Sequence, residues 1–329
     1  MTTENEQIKE LARAATARFG LGAGATVTLC NVSENHTYHV EDPSLGARYA
    51  LRVHRPGYRS RDEIESELMW IDALHADGVV DTPRVIVAGD GERVVEVAAP
   101  GVGPRQVVMF EWVAGVAPDL DGGDAAARQF ETLGAISARM HEHARRWVTP
   151  EHFRRPRWDY ASTIGPQGHW GRWQDGLGMG AEERRQLACL DARIAERVEA
   201  FGAGPSRFGL VHADIRLANL LIDGDAVRVI DFDDCGFSWN MYDFATAVSF
   251  MEDHPRVPEL REAWIHGYRS VGELEPAAQA ELQTFVMLRR LLLVAWIGSH
   301  HTFAPEAAQL GAGFTAGTCA LAEDYLSTH

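Results

Sequence analysis

The chain has 329 residues, 46% hydrophobic and 24% charged, which is enough for a sizeable core and for two lobes. Its formal charge of −16 argues against a nucleic-acid backbone as the main partner and suits a cationic or Mg²⁺-bound ligand better, although general solubility accounts for most of that charge. The positive charge is nearly all arginine, with Lys9 the only lysine, and the four cysteines (Cys30, Cys189, Cys235, Cys319) form no CxxC pair, so neither a disulfide framework nor a zinc site is expected.

The N-terminal stretch carries Ile8, Leu11, Ala15 and Phe19 at helical spacing, has no apolar core of signal-peptide type, and should end as a helix at Gly20 and Gly22. The runs "TVTLCNV", "HTYHVE" and "ARYALRVH" then read as an antiparallel meander. "SRDEIESELMWIDALHADG" predicts a helix with Ser60 as N-cap, Glu63 as capping-box partner, and Ile64, Leu68, Ile71 and Leu74 on one face. Further strands are expected in "PRVIVAG", "ERVVEVA" and "RQVVMFEWV", before "AGVAPDLDGGD" breaks the pattern with Gly, Pro and Asp.

Beyond Asp124 the apolar period changes from two to 3.6, and "AAARQFETLGAISARMHEH", "AEERRQLACLDARIAERVEAF", "NMYDFATAVSFM", "VPELREAWIHGY" and "ELQTFVMLRRLLLVAWIG" read as helices. The last of these, interrupted by Arg289 and Arg290, reads as a core helix, so no membrane segment is expected and a reducing cytoplasm fits the cysteine usage. The expected fold is α+β: a strand-rich lobe with one helix over 1–110, a hinge over 111–118, and a helical lobe over 119–329 with one embedded hairpin.

That hairpin lies in "VHADIRLANLLIDGDAVRVIDFDD", where "NLLI" and "AVRVI" flank an Asp-Gly turn. Taken alone it would be structural, with its polar neighbours as caps. A hairpin returns its ends to one place, however, so Asp214, Asn219, Asp231 and Asp233 should converge at its mouth. Hard oxygen donors of this kind suit Mg²⁺, which binds through one or two carboxylates plus substrate phosphates, and they are poor for zinc.

With "HADIRLAN" followed across the hairpin by "IDFDD", the sequence resembles the aminoglycoside phosphotransferase-like kinases, relatives of the protein kinases, over nearly its whole length. The resemblance implies a bilobal protein-kinase-like fold and an ATP- and Mg²⁺-dependent O-phosphotransferase. Asp214 would take or orient the proton of the acceptor hydroxyl, while Asn219 and Asp231, with Asp233 as a secondary candidate, would hold the metal. His212 would hold the loop, and Asp243 would brace it. Arg52 in "RYALRVHRP" would stand where the family usually has lysine on the α- and β-phosphates, paired with Glu67 on the following helix. The nucleotide loop would be "NVSENHTYHV", with Ser33 and Asn35 in its turn, and adenine would meet the carbonyl of Glu111 and the N–H of Val113. Arg216 would either stabilise charge on the γ-phosphate or pair with Asp231 or Asp233 to hold the loop.

The acceptor is less legible. Asp119, Asp121 and Asp124, with Trp158, Trp170 and Trp173 in a loop-like insert, would suit an amine-bearing alcohol, while tryptophans in such a connection could equally be packed beneath it. "SENHTYHV", "HRPGYRS" and "DFDDCG" resemble the branch around stress-response kinase A and the homoserine-kinase-like proteins, so a protein serine or threonine is also an open acceptor. A nucleotide-binding pseudokinase is the reading suggested by arginine in place of lysine at position 52; a metal-dependent hydrolase lacks the further histidines it would need.

Overall fold

The computed structural model describes residues 3–120, 123–224 and 226–329. The chain divides into two compact units: Met1–Ala73 with Thr82–Ala114 and Pro150–Arg154, and Leu74–Asp81 with Gly115–Thr149 and Arg155–His329.

The first unit is an antiparallel sheet with α1 (Thr3–Thr16) packed on it. Its strands are β1 (Thr26–Val32), β2 (His36–Asp42) and β3 (Ala47–Val53), then, after α2 (Arg61–Ala76), β4 (Val85–Ile86), β5 (Val95–Ala99) and β6 (Val102–Glu111). The sheet order is β1-β2-β3-β6-β4, with β5 paired to β6, so the N-terminal meander continues directly onto the last long strand. Ile8, Leu11, Ala12 and Ala15 of α1 bury against Val27, Tyr38, Val40, Leu51, Val53 and Met109. Each fully buried Val, Leu, Ile or Met side chain among these contributes about 1.5–3 kcal/mol. The turn after α1 closes with Gly20 in the left-handed region at φ 77°, where a glycine is favoured. "PRVIVAG" forms only the two-residue β4.

The second unit is mainly helical: α3 (Asp124–Arg146), α4 (Tyr160–Thr163), α5 (Ala181–Phe201), α6 (Tyr242–Ala247), α7 (Val257–Arg269), α8 (Pro276–Ala280), α9 (Leu282–His300) and α10 (Pro305–Thr328), the last kinked at Gly311. It contains the expected hairpin, β8 (Leu220–Asp223) with β9 (Ala226–Val229), whose turn residue Asp225 lies outside the described residues. It also contains a second antiparallel pair, β7 (Phe208–Val211) with β10 (Gly236–Trp239), that the sequence reading missed. "NMYDFATAVSFM" yields only the short α6, since Phe250 adopts φ 69° and breaks the run.

α3 and α7 cross with backbones almost touching. A Cβ on Gly267 would lie 1.7 Å from the Glu131 carbonyl oxygen, and one on Gly134 would lie 2.0 Å from that of Trp264. α9 is long and apolar enough to cross a membrane by length and composition, but 83% of its apolar window is buried inside the fold, as a core helix would be.

Candidate active site

β7 feeds the loop beginning at His212, and β10 leaves the turn ending at Cys235; β8 and β9 bracket the same two segments from the other side. Ala213 takes φ 64°, a left-handed conformation that favours glycine, at a cost of about 1–2 kcal/mol. What holds it there is Asp243 at the start of α6, whose carboxylate accepts the Ala213 N–H at 2.8 Å and the His212 N–H at 3.3 Å. Asp243 is in turn fixed by His141 Nε2 at 2.8 Å, and His141 Nδ1 meets the Tyr268 hydroxyl at 3.1 Å. The close α3–α7 crossing is thus what brings these two side chains beneath the loop.

His212 is fully buried, and burial holds its pKa below the ordinary histidine range, with Asp243 and Asp231 opposing. Its Nδ1 accepts the Asp214 N–H at 3.2 Å, so the proton sits on Nε2, which donates to the Ile230 carbonyl at 3.2 Å. Both ring nitrogens serve the loop.

Asp214 points into this frame with each carboxylate oxygen engaged by a different donor. Arg289 Nη2 donates to Oδ1 at 2.6 Å, and Asn219 Nδ2 donates to Oδ2 and to the Asp214 carbonyl, both at 2.9 Å. Because only the amide nitrogen can donate to these acceptors, the Asn219 amide oxygen faces away and is left for another ligand. Burial pushes the Asp214 carboxyl up to about 7; Arg289 and Arg216 pull against that rise, while Asp234 and Asp231 add to it. Burial works against the charge of Arg289, yet Tyr242 and Asp214 beside it hold its pKa above the ordinary value. Arg289 belongs to α9 and the sequence reading missed it as a site residue; a guanidinium inside an apolar helix is the signal that could have found it, since a buried charge needs a partner.

Arg216 departs from the expected pairing with Asp231 or Asp233. Its Nη1 donates to Glu306 of α10 at 2.8 and 3.0 Å, and its Nε stands 3.7 Å from Asp214 Oδ2. The fixed carboxylate partner is therefore Glu306, in a segment with no recognised role in the sequence, rather than Asp231 or Asp233.

The hairpin ladder runs one pair beyond Leu220 and Val229, with Ile230 N–H donating to the Asn219 carbonyl at 2.9 Å, so Asn219 and Asp231 flank its mouth. Asp231 is exposed and left-handed at φ 63°, a strained conformation for a non-glycine residue. Phe232 after it packs on His212 with ring centroids 4.5 Å apart. Asp233 is instead buried at 6% exposure, in a turn whose carbonyls accept from Arg155, which reaches Asp233 O and, at 2.6 Å, Cys235 O. Among the described residues no group of three or more His, Cys, Asp or Glu could hold a metal unaided. An amide oxygen and an exposed carboxylate at one hairpin mouth fit Mg²⁺, which takes few protein ligands and completes its shell with phosphate and water.

In the first unit Arg52 is buried on β3. Its Nη1 donates to both oxygens of Glu67 at 2.8 and 2.9 Å, and its guanidinium lies 5.1 Å from the Phe110 ring centroid. Glu63 serves the cap, accepting from Ser60 N–H and hydroxyl at 2.8 Å each. In the β1–β2 turn the Ser33 N–H donates to the Asn35 carbonyl at 3.0 Å, while the buried Asn35 side chain accepts the Arg55 N–H at 3.1 Å and so braces the end of β3. Glu111 is the exposed last residue of β6, its N–H donating to the Arg84 carbonyl at 2.9 Å; Val113 follows two residues on, outside any strand or helix.

Of the acceptor candidates, Asp119 and Asp124 are exposed and Asp121 lies outside the described residues. The tryptophans are packed, as the alternative reading allowed. Trp158 (0% exposed) donates to the Asp234 carbonyl at 2.7 Å, and Trp173 (2% exposed) donates to Asp191 at 3.0 Å, so neither presents a face to a ligand. Trp170, 4% exposed, lies 5.2 Å from the guanidinium carbon of Arg289.

Residues 28–281 match the phosphotransferase enzyme family (APH). The chain belongs to that family. A solved microcompartment-associated aminopropanol kinase is 47% identical to this phosphotransferase, with a TM-score of 0.88 over 97% of this chain and 98% of that one. Amicoumacin kinase of Bacillus subtilis (strain 168) is 23% identical over 313 residues, 91% of this chain and 88% of its own. A structure of an amicoumacin kinase with AMP-PNP, Ca²⁺ and Ami shares 19% identity and a TM-score of 0.75 over 97% and 96% of the two chains, a likeness of fold. This phosphotransferase is a small-molecule, ATP-dependent kinase, and the protein kinase alternative is not favoured.

Proposed function

We propose that the chain transfers the γ-phosphate of ATP, as its Mg²⁺ complex, to the hydroxyl of a small amine-bearing alcohol of aminopropanol type. The observation that carries the reading is the Asp214–Asn219 pair at the mouth of the hairpin that also presents Asp231. The acceptor class is supported by the 47% identity to an aminopropanol kinase over nearly the whole chain, and by a charge of −16 that favours a cationic substrate.

Asp214 receives the acceptor's proton as its oxygen bonds to the γ-phosphorus and the bond from that phosphorus to the bridging oxygen breaks, releasing ADP. Asn219, through its amide oxygen, and Asp231 would hold Mg²⁺, with the buried Asp233 a secondary candidate. When bound, the metal neutralises charge on the phosphate oxygens. Arg52, fixed by Glu67, supplies the cation for the α- and β-phosphates in place of lysine, the β1–β2 turn at Ser33 and Asn35 covers the phosphates with backbone N–H groups, and the Glu111 carbonyl and Val113 N–H take adenine. Arg216, tethered to Glu306, adds positive charge near the reacting oxygen.

The test is phosphate transfer from ATP and Mg²⁺ across a panel of amino alcohols, aminoglycosides and a generic protein acceptor. Turnover of amino alcohols is expected; turnover confined to the protein acceptor would refute the reading.

A further inference from the structure

We propose that Arg289 is a positioning residue for the transfer step, fixing the orientation of the Asp214 carboxylate; this rests on Asp214 being the base.

An aspartate carboxylate turns in a broad torsional well unless donors fix it. At Asp214 it is stopped by two donors from different elements, Arg289 of α9 on Oδ1 and Asn219 of the loop on Oδ2. A carboxylate offers about four acceptor sites, so one bond to each oxygen fixes the plane and still leaves a lone pair for the acceptor hydroxyl.

The guanidinium is itself over-determined. At 2% exposure its Nη1 donates to the Tyr242 hydroxyl at 3.3 Å and its Nε to Ser249 Oγ at 3.2 Å, while Nη2 takes Asp214. Trp170 lies against it at 5.2 Å, and the Ser299 hydroxyl donates to the Trp170 carbonyl at 2.7 Å. The insert comes this close to α9 because two glycines permit it: a Cβ on Gly176 would lie 2.5 Å from Val294 Cγ1, and one on Gly298 3.0 Å from the Asp175 carbonyl oxygen. Insert, α6 and α9 thus converge on one side chain whose carboxylate partner is the reacting aspartate. A charge buried only for stability would need no link to that residue.

The test is steady-state kinetics of Arg289→Met, Arg289→Lys and Tyr242→Phe, with Asp214→Asn alongside. Misplacement of a reacting group by about 1 Å costs on the order of 100-fold. Arg289→Met should therefore lower kcat by about 100-fold with KM for ATP and acceptor within about threefold. Arg289→Lys, which can donate to Asp214 but cannot span Ser249 and Tyr242, should recover about a tenth of the lost rate, and Tyr242→Phe should lower kcat by about three- to tenfold. If Arg289→Met does not fold, the lysine and Tyr242→Phe variants decide. Wild-type kcat in those variants, or a fall in kcat matched by the fall in folded protein with no recovery by lysine, would overturn the proposal while Asp214→Asn remains inactive. Retained turnover in Asp214→Asn would overturn the base assignment and the proposal with it.

Discussion

Arg52 donates from a single guanidinium nitrogen to both oxygens of Glu67, in a pair whose side chains are 7% and 0% exposed. Breaking a buried pair strands a charge, at a cost of about 3–5 kcal/mol. Glu67→Ala should therefore cost about that much stability in denaturant titration and should raise KM for ATP. An unchanged midpoint would mean that the pair is not held as seen here. Arg52→Lys keeps the charge but not the planar group against Phe110, and should raise KM for ATP with little change in kcat.

Asp231 is an exposed carboxylate held at φ 63°. Asp231→Asn should remove the extra thermal stabilisation that Mg²⁺ adds to ATP alone, and should abolish turnover. Full ATP binding at about 100 times Kd adds about 2.7 kcal/mol, which sets the scale of the shift. A Mg²⁺-dependent shift equal to that of the wild type would rule Asp231 out as a ligand.

Gly267 sits where a Cβ would come within 1.7 Å of the Glu131 carbonyl oxygen. Gly267→Ala must push α7 from α3, at about 3 kcal/mol by analogy with overpacked cores. Since α7 carries Tyr268, the partner of His141 under Asp243, kcat should fall as well. Stability within about 0.5 kcal/mol of wild type, the range of an innocuous surface change, would contradict the close crossing.

Burial holds the pKa of His212 low. The unfolded chain takes up this proton near pH 6.5, so below that pH the unfolded state binds more protons and the stability contributed at neutral pH is progressively lost. His212→Gln, which can still donate to the Ile230 carbonyl but cannot titrate, removes this slope. Relative to the variant, the wild-type Tm should fall as pH drops from about 7.5 to about 5.5. A constant difference over that range would show that His212 is not buried neutral.

Much of this was legible in the residues because it is local. The meander and the α2 cap follow period and turn chemistry, and the hairpin brings Asn219 beside Asp231 because its register leaves no alternative. Other features depend on distant segments. Arg289 stands in a run of apolar residues that reads simply as core, and only the cost of burying its charge hints at a partner 75 residues away. Glu306 opens α10, where Gly311, Gly313 and Gly317 dilute the helical pattern. β7 and β10 are four residues each and pair across the whole catalytic segment, too short to announce themselves. The tryptophans of the insert gave a true signal of aromatic density, but residue type alone does not separate a ligand cage from packing against α9.

The central claim is that Asp214 is the base in transfer from ATP to an amino alcohol. Its most direct test is the rate of aminopropanol phosphorylation by Asp214→Asn, with ATP binding followed on the same protein. The account predicts a loss of at least about 1,000-fold, within the range that a positioned base contributes, with ATP affinity within about threefold of wild type. Turnover within about tenfold of wild type would contradict it.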